Sequence, residues 1–398
     1  MKALFTPCGK KNAFTLVEML VSVSVLALIM LVLVSMTNQI SQTWRSTTGK
    51  IEQFQGARDG FESMTRKISQ ATLNTYWDLY NVKVGGRDSP RDFLRQSQLR
   101  FVSGPMAKLA PDPTRPTHGV FFQAPLGFVD DVENLGRLDN LLNTWGYFLE
   151  VGEDEIYRPS FLTGLVPSRT KPRLMELMQP AESLSVYDLD PKGADKPVAG
   201  DQLGWFRPSL TATNRPVRVL AENVVALIVW PRLSKLQEDA RRDAGRSVLS
   251  PNYVYDSSLL SFFKKITSSA TSIVYLNDGT AAVDSVTTNP QIAGEINPFN
   301  QLPPVVQVTM VAVDDASAQR LVAASPMKKG AFADLTKGLF EVACVTGTKA
   351  NQATKYELDL KELEERMVKA KLTYRVFSTN VTIRGAKWSS FQTRSREN

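Results

Sequence analysis

The first long pattern in the chain is an apolar run over residues 14–36, in which Glu18 carries the only formal charge. At about 1.5 Å per residue, a helix of this length spans roughly 35 Å, enough to cross a hydrocarbon core of about 30 Å. Three lysines and no acid precede Glu18, and such a positive flank keeps the N-terminus in the cytoplasm. The pattern therefore predicts one membrane-spanning helix, with everything after Met36 outside the cytoplasm.

Past Met36, apolar residues recur at spacings of three, four or seven, which is one face of a helix. The stripe consists of Ile40, Trp44, Ile51, Phe54, Phe61, Met64, Ile68 and Ala71. We expect a continuous helical stalk over residues 14–72, with an amphipathic second half at 37–72. Because glycine weakens a helix by about 1 kcal/mol relative to alanine, Gly56 and Gly60 predict a bend or local melting rather than a close helix contact.

Residues 73–398 are expected to form a globular, strand-rich head. Their short apolar or alternating runs, with Gly or Pro nearby, are typical of strands. The strongest run, at 224–230, predicts a central buried strand that Pro231 stops. The other expected strands are 101–102, 119–123, 145–151, 173–178, 305–313 and 372–377. A second helix is expected at 358–370. Residues 233–304 are polar and rich in turn residues, which predicts a long, partly flexible insertion with disorder in part of 233–252.

These patterns together predict an α+β fold: a long N-terminal helical stalk followed by an antiparallel β-sheet head with long insertions. The composition is ordinary for a folded chain, at 43% hydrophobic and 22% charged residues. The net charge of +7 includes the leader lysines, and the remainder is too small and dispersed to favour nucleic acid as a partner.

The segment Ala13-Phe14-Thr15-Leu16-Val17-Glu18-Met19-Leu20 resembles the class III signal of type IV prepilins and type II secretion pseudopilins. The resemblance implies that residues 1–13 are a leader peptide, and that prepilin peptidase cuts between Ala13 and Phe14. It implies that the new Phe14 amine is methylated, and that Thr15, Leu16 and Val17 belong to the processing motif. The family usually has Gly before the cut, so Ala13 is a departure, and we expect slower processing at worst.

An acid at the centre of a membrane helix costs roughly 2.5–3.5 kcal/mol, so Glu18 is a functional-site hypothesis. Cleavage would leave a positive amine on Phe14, and a bundle of parallel helices would bury that amine in apolar surroundings. If Glu18 of one subunit pairs with the Phe14 amine of a neighbour, the two charges cancel only in one axial register. The pair would then specify the stagger of the subunits more than it adds stability.

Two segments of the head carry a further resemblance. Residues 220–227, followed after an insertion by Leu302-Pro303 and a strand, are similar to J-type minor pseudopilins of type II secretion and to W-type minor pilins. Residues 374–388 are similar to the Verru_Chthon cassette protein C family. The resemblance implies a minor subunit whose partners are other pilin-like subunits, prepilin peptidase and an inner-membrane assembly platform, with the head in the periplasm or cell envelope.

Enzymatic patterns are sparse. His118 is the only histidine and is expected on a surface loop, while Cys344 lies in an apolar run and is expected to be a buried, inert thiol. The acids Asp188, Asp190, Asp195 and Asp201 lack the spacing of an EF-hand loop, so a solvated turn is preferred to calcium. There is no P-loop sequence.

We therefore expect no enzyme activity, no cofactor and no metal. The favoured function is a minor pilin-like structural subunit of a type II secretion or type IV pilus-like filament. The alternative is a single-pass anchored envelope protein whose head is an adhesin or an enzyme and never polymerises. A plain signal anchor would also explain the apolar run, but it leaves Glu18 unexplained.

Overall fold

The computed structural model describes residues 15–84, 87–138, 140–162, 164–189, 203–212, 214–246, 248–258, 300–325 and 330–386. Its internal contacts divide the chain into two units, Met1–Glu52 and Gln53–Asn398. The expected α+β layout is confirmed, since one long N-terminal helix is followed by antiparallel sheets with shorter helices. The leader (residues 1–13), the candidate calcium residues Asp190, Asp195 and Asp201, and residues 259–299 of the long insertion lie outside the described residues.

The elements are named in chain order. The helices are α1 (Leu16–Ile68), α2 (Met106–Leu109), α3 (Val132–Leu135), α4 (Arg207–Thr211), α5 (Lys235–Asp243), α6 (Asp315–Ala324), α7 (Ala331–Thr336) and α8 (Lys355–Lys369). The strands are β1 (Tyr76–Val84), β2 (Arg87–Gln96), β3 (Val102–Pro105), β4 (His118–Pro125), β5 (Leu142–Glu153), β6 (Thr170–Gln179), β7 (Val217–Glu222), β8 (Val224–Arg232), β9 (Tyr255–Asp256), β10 (Val305–Val313) and β11 (Tyr374–Thr382).

Helix α1 stays α-helical through Gly56 and Gly60, so the expectation of local melting there is wrong. At Gly56 an added Cβ would meet no atom within 4 Å. At Gly60 it would lie 3.2 Å from both the Ala221 Cβ and the Leu220 carbonyl oxygen. Gly60 therefore allows α1 to approach β7 closely, a contact between helix and strand that the spacing of the two glycines did not indicate.

The strands form three antiparallel sheets within the described residues. Strands β1 and β2 form a hairpin, and six strands follow one another in the order β7-β6-β5-β4-β3-β9. The third sheet has the order β11-β10-β8. The hairpin was not among the expected strands, whereas all seven expected strands overlap strands of the two larger sheets.

Strand β8 is buried as expected, but it is not central, because β10 is the middle strand of its sheet. It also continues through Pro231, which lies opposite Val306 of β10. A proline lacks the N–H that a sheet interior requires, so it is tolerated on a strand that has a neighbour on one side only. The edge position of β8 explains why Pro231 does not end it.

The structure describes residues 233–252 except residue 247, and the expectation of disorder in part of this segment stays a prediction. The segment contains α5, and Tyr253 beyond it is fully buried. The second expected helix is confirmed as α8, which begins with a capping box formed by Thr354 and Glu357. This reciprocal arrangement satisfies two backbone N–H groups at the helix start.

The core has three apolar clusters, all within the second unit. The first lies between the face of α1 that carries Phe54, Phe61, Met64 and Ile68 and the inner faces of the two larger sheets. The second lies between the β8-β10-β11 sheet and helices α6–α8, and the third covers the opposite face of the six-stranded sheet with Trp205 and Phe206. The C-terminal part of the expected apolar stripe is therefore buried against the sheets.

A buried ion-pair network ties α1 to the six-stranded sheet. The Glu176 side chain is fully buried and accepts from Lys67 Nζ at 2.6 Å and from the Tyr147 hydroxyl at 2.7 Å. Its second oxygen accepts from the Arg218 guanidinium at 2.5 Å. Lys67 Nζ also lies 4.0 Å from the centre of the Trp145 ring. Both carboxylate oxygens are thus bound to cations, which buried charges require.

Candidate functional site

Thr15 stands immediately before α1 and caps it. The Thr15 backbone nitrogen and its Oγ1 both donate to Glu18 Oε2 at 2.9 Å, and the Glu18 nitrogen donates to Thr15 Oγ1 at 3.3 Å. This reciprocal pattern is a capping box. The sequence reasoning assigned Glu18 to pairing between subunits and missed its role within the chain, although the Thr-x-x-Glu spacing is the signal for it.

Apart from Thr15 and Ser22, the residues next to Glu18 along the helix are apolar and exposed. Leu16 is 81% exposed and Val17 is 69% exposed. Every residue from Thr15 to Trp44 is exposed in the isolated chain, including Ile40 and Trp44 of the expected stripe. Large apolar side chains in a continuous exposed surface mark a site that lipid or another protein covers.

Helix α1 is long and apolar enough to cross a membrane, judged by its length and composition. The capping box places the Glu18 carboxylate in the first turn of this helix, where negative charge is favourable beside the unpaired N–H groups. Ser22 Oγ donates to the Glu18 carbonyl oxygen at 2.7 Å, so this polar side chain is satisfied inside the apolar run.

Ala13 and Phe14, the expected cleavage pair, lie outside the described residues. Cleavage between them, methylation of Phe14 and the pairing of its amine with Glu18 of a neighbour therefore stay predictions. Of the six site residues expected from the sequence, the structure brings together Thr15 and Glu18 by hydrogen bonds and places Leu16 and Val17 between them on the exposed first turn.

The comparisons with known proteins agree with this N-terminal arrangement. Residues 8–34 match the family described as the prokaryotic N-terminal methylation motif. No curated protein and no solved structure matches the chain. The motif is that of the type IV pilin and pseudopilin class, and it implies a prepilin-like protein that prepilin peptidase processes. Together with one N-terminal apolar helix, it is consistent with anchoring in the inner membrane before assembly.

His118 is not on a surface loop, as the sequence reasoning expected, but is 2% exposed at the start of β4. The Val229 nitrogen donates to His118 Nδ1 at 3.2 Å, and His118 Nε2 lies 3.0 Å from the Phe340 carbonyl oxygen. Since that carbonyl can only accept, Nε2 carries the proton. Burial lowers the pKa of His118 to about 4. The ring is therefore neutral at pH 7, and both of its nitrogens are engaged in structural contacts.

Thr117, the residue before His118, makes a parallel contact, since the Leu227 nitrogen donates to Thr117 Oγ1 at 3.2 Å. The two side chains together accept the N–H groups of Leu227 and Val229, which β8 turns away from β10. The middle of the β8 edge is thus satisfied by side chains at and just before the start of β4. A histidine directly before the apolar run of β4 was the only sequence signal for this role, and it does not distinguish a surface position from a buried one.

Cys344 is buried at 4% exposure, as expected, and burial raises the pKa of its thiol. A raised thiol pKa reduces the thiolate fraction, and with it the reactivity at neutral pH. Among the described residues, no group of three or more His, Cys, Asp or Glu side chains is arranged to hold a metal ion. The inertness of Cys344 stays a prediction.

Proposed function

We propose that this chain is a minor pilin-like structural subunit of a type II secretion or type IV pilus-like filament, trimmed by prepilin peptidase and assembled through its N-terminal helix. The observation that carries the proposal is the exposed, largely apolar surface over residues 16–36, whose only formal charge is Glu18 in the first helical turn. Lipid can cover such a surface while the chain is anchored, and parallel helices of other subunits can cover it afterwards.

In this mechanism the two roles of Glu18 use different bonds. Both hydrogen bonds from Thr15 go to Oε2, so the capping box engages one carboxylate oxygen. The pairing role needs the negative charge of Glu18 and a neighbour's Phe14 amine. A variant that keeps the cap but removes the charge therefore separates the two roles.

The intact mass of the membrane-extracted protein tests processing. A chain that begins at Phe14 and carries one added methyl group supports a filament subunit. A chain that keeps residues 1–13 would instead support the alternative of an anchored adhesin or enzyme.

The variant Glu18→Gln tests assembly. Glutamine also closes a capping box, so we expect the variant to be inserted and cleaved like the wild type but to lose incorporation into filaments by at least tenfold, because it has no charge for the amine. The measurement is the amount of the subunit in the sheared filament fraction relative to the membrane fraction.

Thr15→Ala is the matched control, because it removes the cap and keeps the charge. Loss of an N-cap costs helix stability by about 1 kcal/mol. Because Thr15 belongs to the expected processing motif, incorporation is compared per cleaved chain, and we expect it within about twofold of the wild type. Normal incorporation of Glu18→Gln would eliminate the charge-pairing mechanism.

A further inference from the structure

Strand β11 lies at an open edge of the three-stranded sheet. Within the described residues β10 is its one neighbouring strand, and the two strands pair in unbroken register along all of β11. The strand has no proline and a single charged residue, Arg375. Native proteins usually block such an edge with prolines, charges, bulges or a covering element, because an open edge invites another strand. The edge of β11 is long, regular and almost uncharged, so it is suited to pairing.

The register shows which backbone groups face this edge. The Val229 nitrogen of β8 points away from β10, so Val308 opposite it points toward β11 and pairs with Thr379. Because the hydrogen-bonding direction alternates along antiparallel strands, Ser378 and Asn380 on either side of Thr379 point their backbone groups outward. Both residues are exposed, and neither backbone has a hydrogen-bond partner among the described residues. The edge therefore offers unpaired N–H and C=O groups to the main chain of a partner.

The β1-β2 hairpin lacks a third strand. Within the part of the chain that the structure describes, its two strands pair only with each other. A two-stranded hairpin is marginally stable by itself, and a third strand stabilises it. Strand β2 contains Pro90, which cannot donate a backbone hydrogen bond, whereas β1 contains no proline. The outer edge of β1 is therefore the one that can accept a strand along its whole length.

The charges of these two strands complement each other. Arg375 is exposed, its guanidinium lies 5.5 Å from the centre of the Phe54 ring, and it makes no ion pair with any described residue. Strand β1 has one acid, Asp78, and one base, Lys83. Opposite charges at facing positions of paired strands are favourable, and like charges are unfavourable. A pairing that sets Asp78 opposite Arg375 and keeps Lys83 away from it is therefore preferred.

The two relative directions of the strands differ in how far they allow this match. In a parallel pairing, setting Asp78 opposite Arg375 places residues 77–84 opposite residues 374–381, which is eight residues from each strand. In an antiparallel pairing, the same match aligns only residues 76–79 with residues 377–374, which is four from each strand. The charges and the strand lengths together favour the parallel register.

We propose that the outer edge of β1 in one copy of this chain pairs with the β11 edge of a second copy, in this parallel register. Main-chain hydrogen bonds supply the affinity, as in other cases of strand addition to an open sheet edge. Because the two edges are different surfaces, the contact is heterologous and can repeat from copy to copy. The interface goes beyond the proposed function, since it requires neither leader cleavage nor the pairing of Glu18 with a neighbour.

Disulfide trapping between copies tests the register, in which Lys83 of one copy stands opposite Asn380 of the other. Facing residues of paired strands are close enough for a disulfide. The full chain in detergent carries Cys8→Ser, and the native Cys344 is buried. Chains with Lys83→Cys are mixed with chains with Asn380→Cys. We expect their linked dimer to form at least tenfold faster than the dimer of Lys83→Cys with Glu365→Cys, an exposed position on α8.

Hydrogen exchange tests the edge without added cysteines. As the protein concentration rises, exchange of the outward Ser378 N–H should slow about tenfold, because pairing with β1 protects it. Asn380→Pro removes the neighbouring outward N–H, which an edge strand tolerates, and should abolish this concentration dependence. Asn380→Ala keeps that N–H and should behave like the wild type. Slow exchange of the Thr379 N–H in both variants shows that β11 stays paired with β10.

Rapid exchange at Ser378 at every concentration would overturn the proposal, and so would undiminished slowing in Asn380→Pro. If Asn380→Cys chains dimerise faster with each other than with Lys83→Cys chains, the β11 edges of two copies pair together, and β1 is not the occupant. The full chain used here keeps its leader, so the intact mass and the incorporation of Glu18→Gln test the proposed function separately.

Discussion

At the scale of single residues, His118 supplies hydrogen bonds that a neighbouring strand would otherwise supply. It accepts from Val229 of β8 and donates to Phe340 in the loop before α8, so one ring connects three parts of the second unit. The Tyr253 ring packs against it at 4.6 Å between ring centres. Protonation would add an N–H at Nδ1, where the ring now accepts, and would place a charge in a fully buried site.

Stability should therefore depend on pH through His118. The pKa of its imidazole is about 4 in the folded chain and near 6.5 when unfolded. Between these values the unfolded state binds a proton that the folded state does not, so the free energy of unfolding falls as the pH drops from 6.5 to 4. The contribution lost is up to about 3 kcal/mol, at 1.36 kcal/mol per pKa unit.

Urea unfolding of the wild type and His118→Gln at pH 7 and at pH 4, followed by tryptophan fluorescence in detergent, measures this dependence. At pH 7 the variant should be less stable than the wild type, because the Val229 N–H of β8 loses the acceptor that His118 Nδ1 provides. At pH 4 the difference in the free energy of unfolding between the two proteins should be smaller by about 3 kcal/mol. An unchanged difference between the two pH values would mean that His118 does not titrate in this window.

At the scale of elements, α1 illustrates that glycines of the same helix can have different roles. Gly56 faces open space, whereas Gly60 lies against β7. Glycine lowers helix stability at position 56, and no close contact there depends on the missing Cβ. At Gly60 the missing Cβ lets the Leu220 carbonyl oxygen approach the helix backbone.

Alanine at these two positions should have opposite effects. Gly56→Ala should raise the free energy of unfolding by up to about 1 kcal/mol through helix propensity. Gly60→Ala should lower it by about 1 kcal/mol, because contacts at 3.2 Å to a backbone oxygen and a Cβ force the helix and β7 apart. Thermal unfolding of both variants in the same detergent measures this, and a stabilised Gly60→Ala would show that the helix shifts without cost.

At the scale of the whole molecule, the network around Glu176 holds α1 on the six-stranded sheet. Two cations and one hydroxyl converge on a carboxylate that has no exposed surface. Removing one partner of a buried pair leaves the other charge uncompensated, which costs more than the pair contributes. The network therefore opposes sliding of the helix along the sheet.

Glu176→Gln should lower the free energy of unfolding by about 3 kcal/mol, because Lys67 loses its partner while the shape of the side chain is kept. Arg218→Gln is the matched comparison. The Arg218 side chain is 53% exposed, and we expect a loss below about 1 kcal/mol from an ion pair screened by water. Equal losses in the two variants, measured by urea unfolding, would mean that burial does not set the strength of this network.

Local patterns were enough to predict much of this protein. The apolar run and its single acid predicted the N-terminal helix, and short apolar or alternating runs predicted seven of the nine described strands in the two larger sheets, with β7 and β9 not expected. Helix α8 was expected from its stripe, in which Leu363 and Met367 are buried. These features depend on residues close together in the chain, where spacing alone determines which side chains share a face.

Only the tertiary structure decided which strand is central, which glycine is close-packed and whether the histidine is buried. The edge position of β8 depends on the pairing of β10, more than 70 residues later in the chain, with both β8 and β11. His118 and Gly60 acquire their roles from Val229 and Leu220, which are distant in sequence. Local spacing carries no information about such partners, because they are chosen by the packing of the sheets against α1 and against each other.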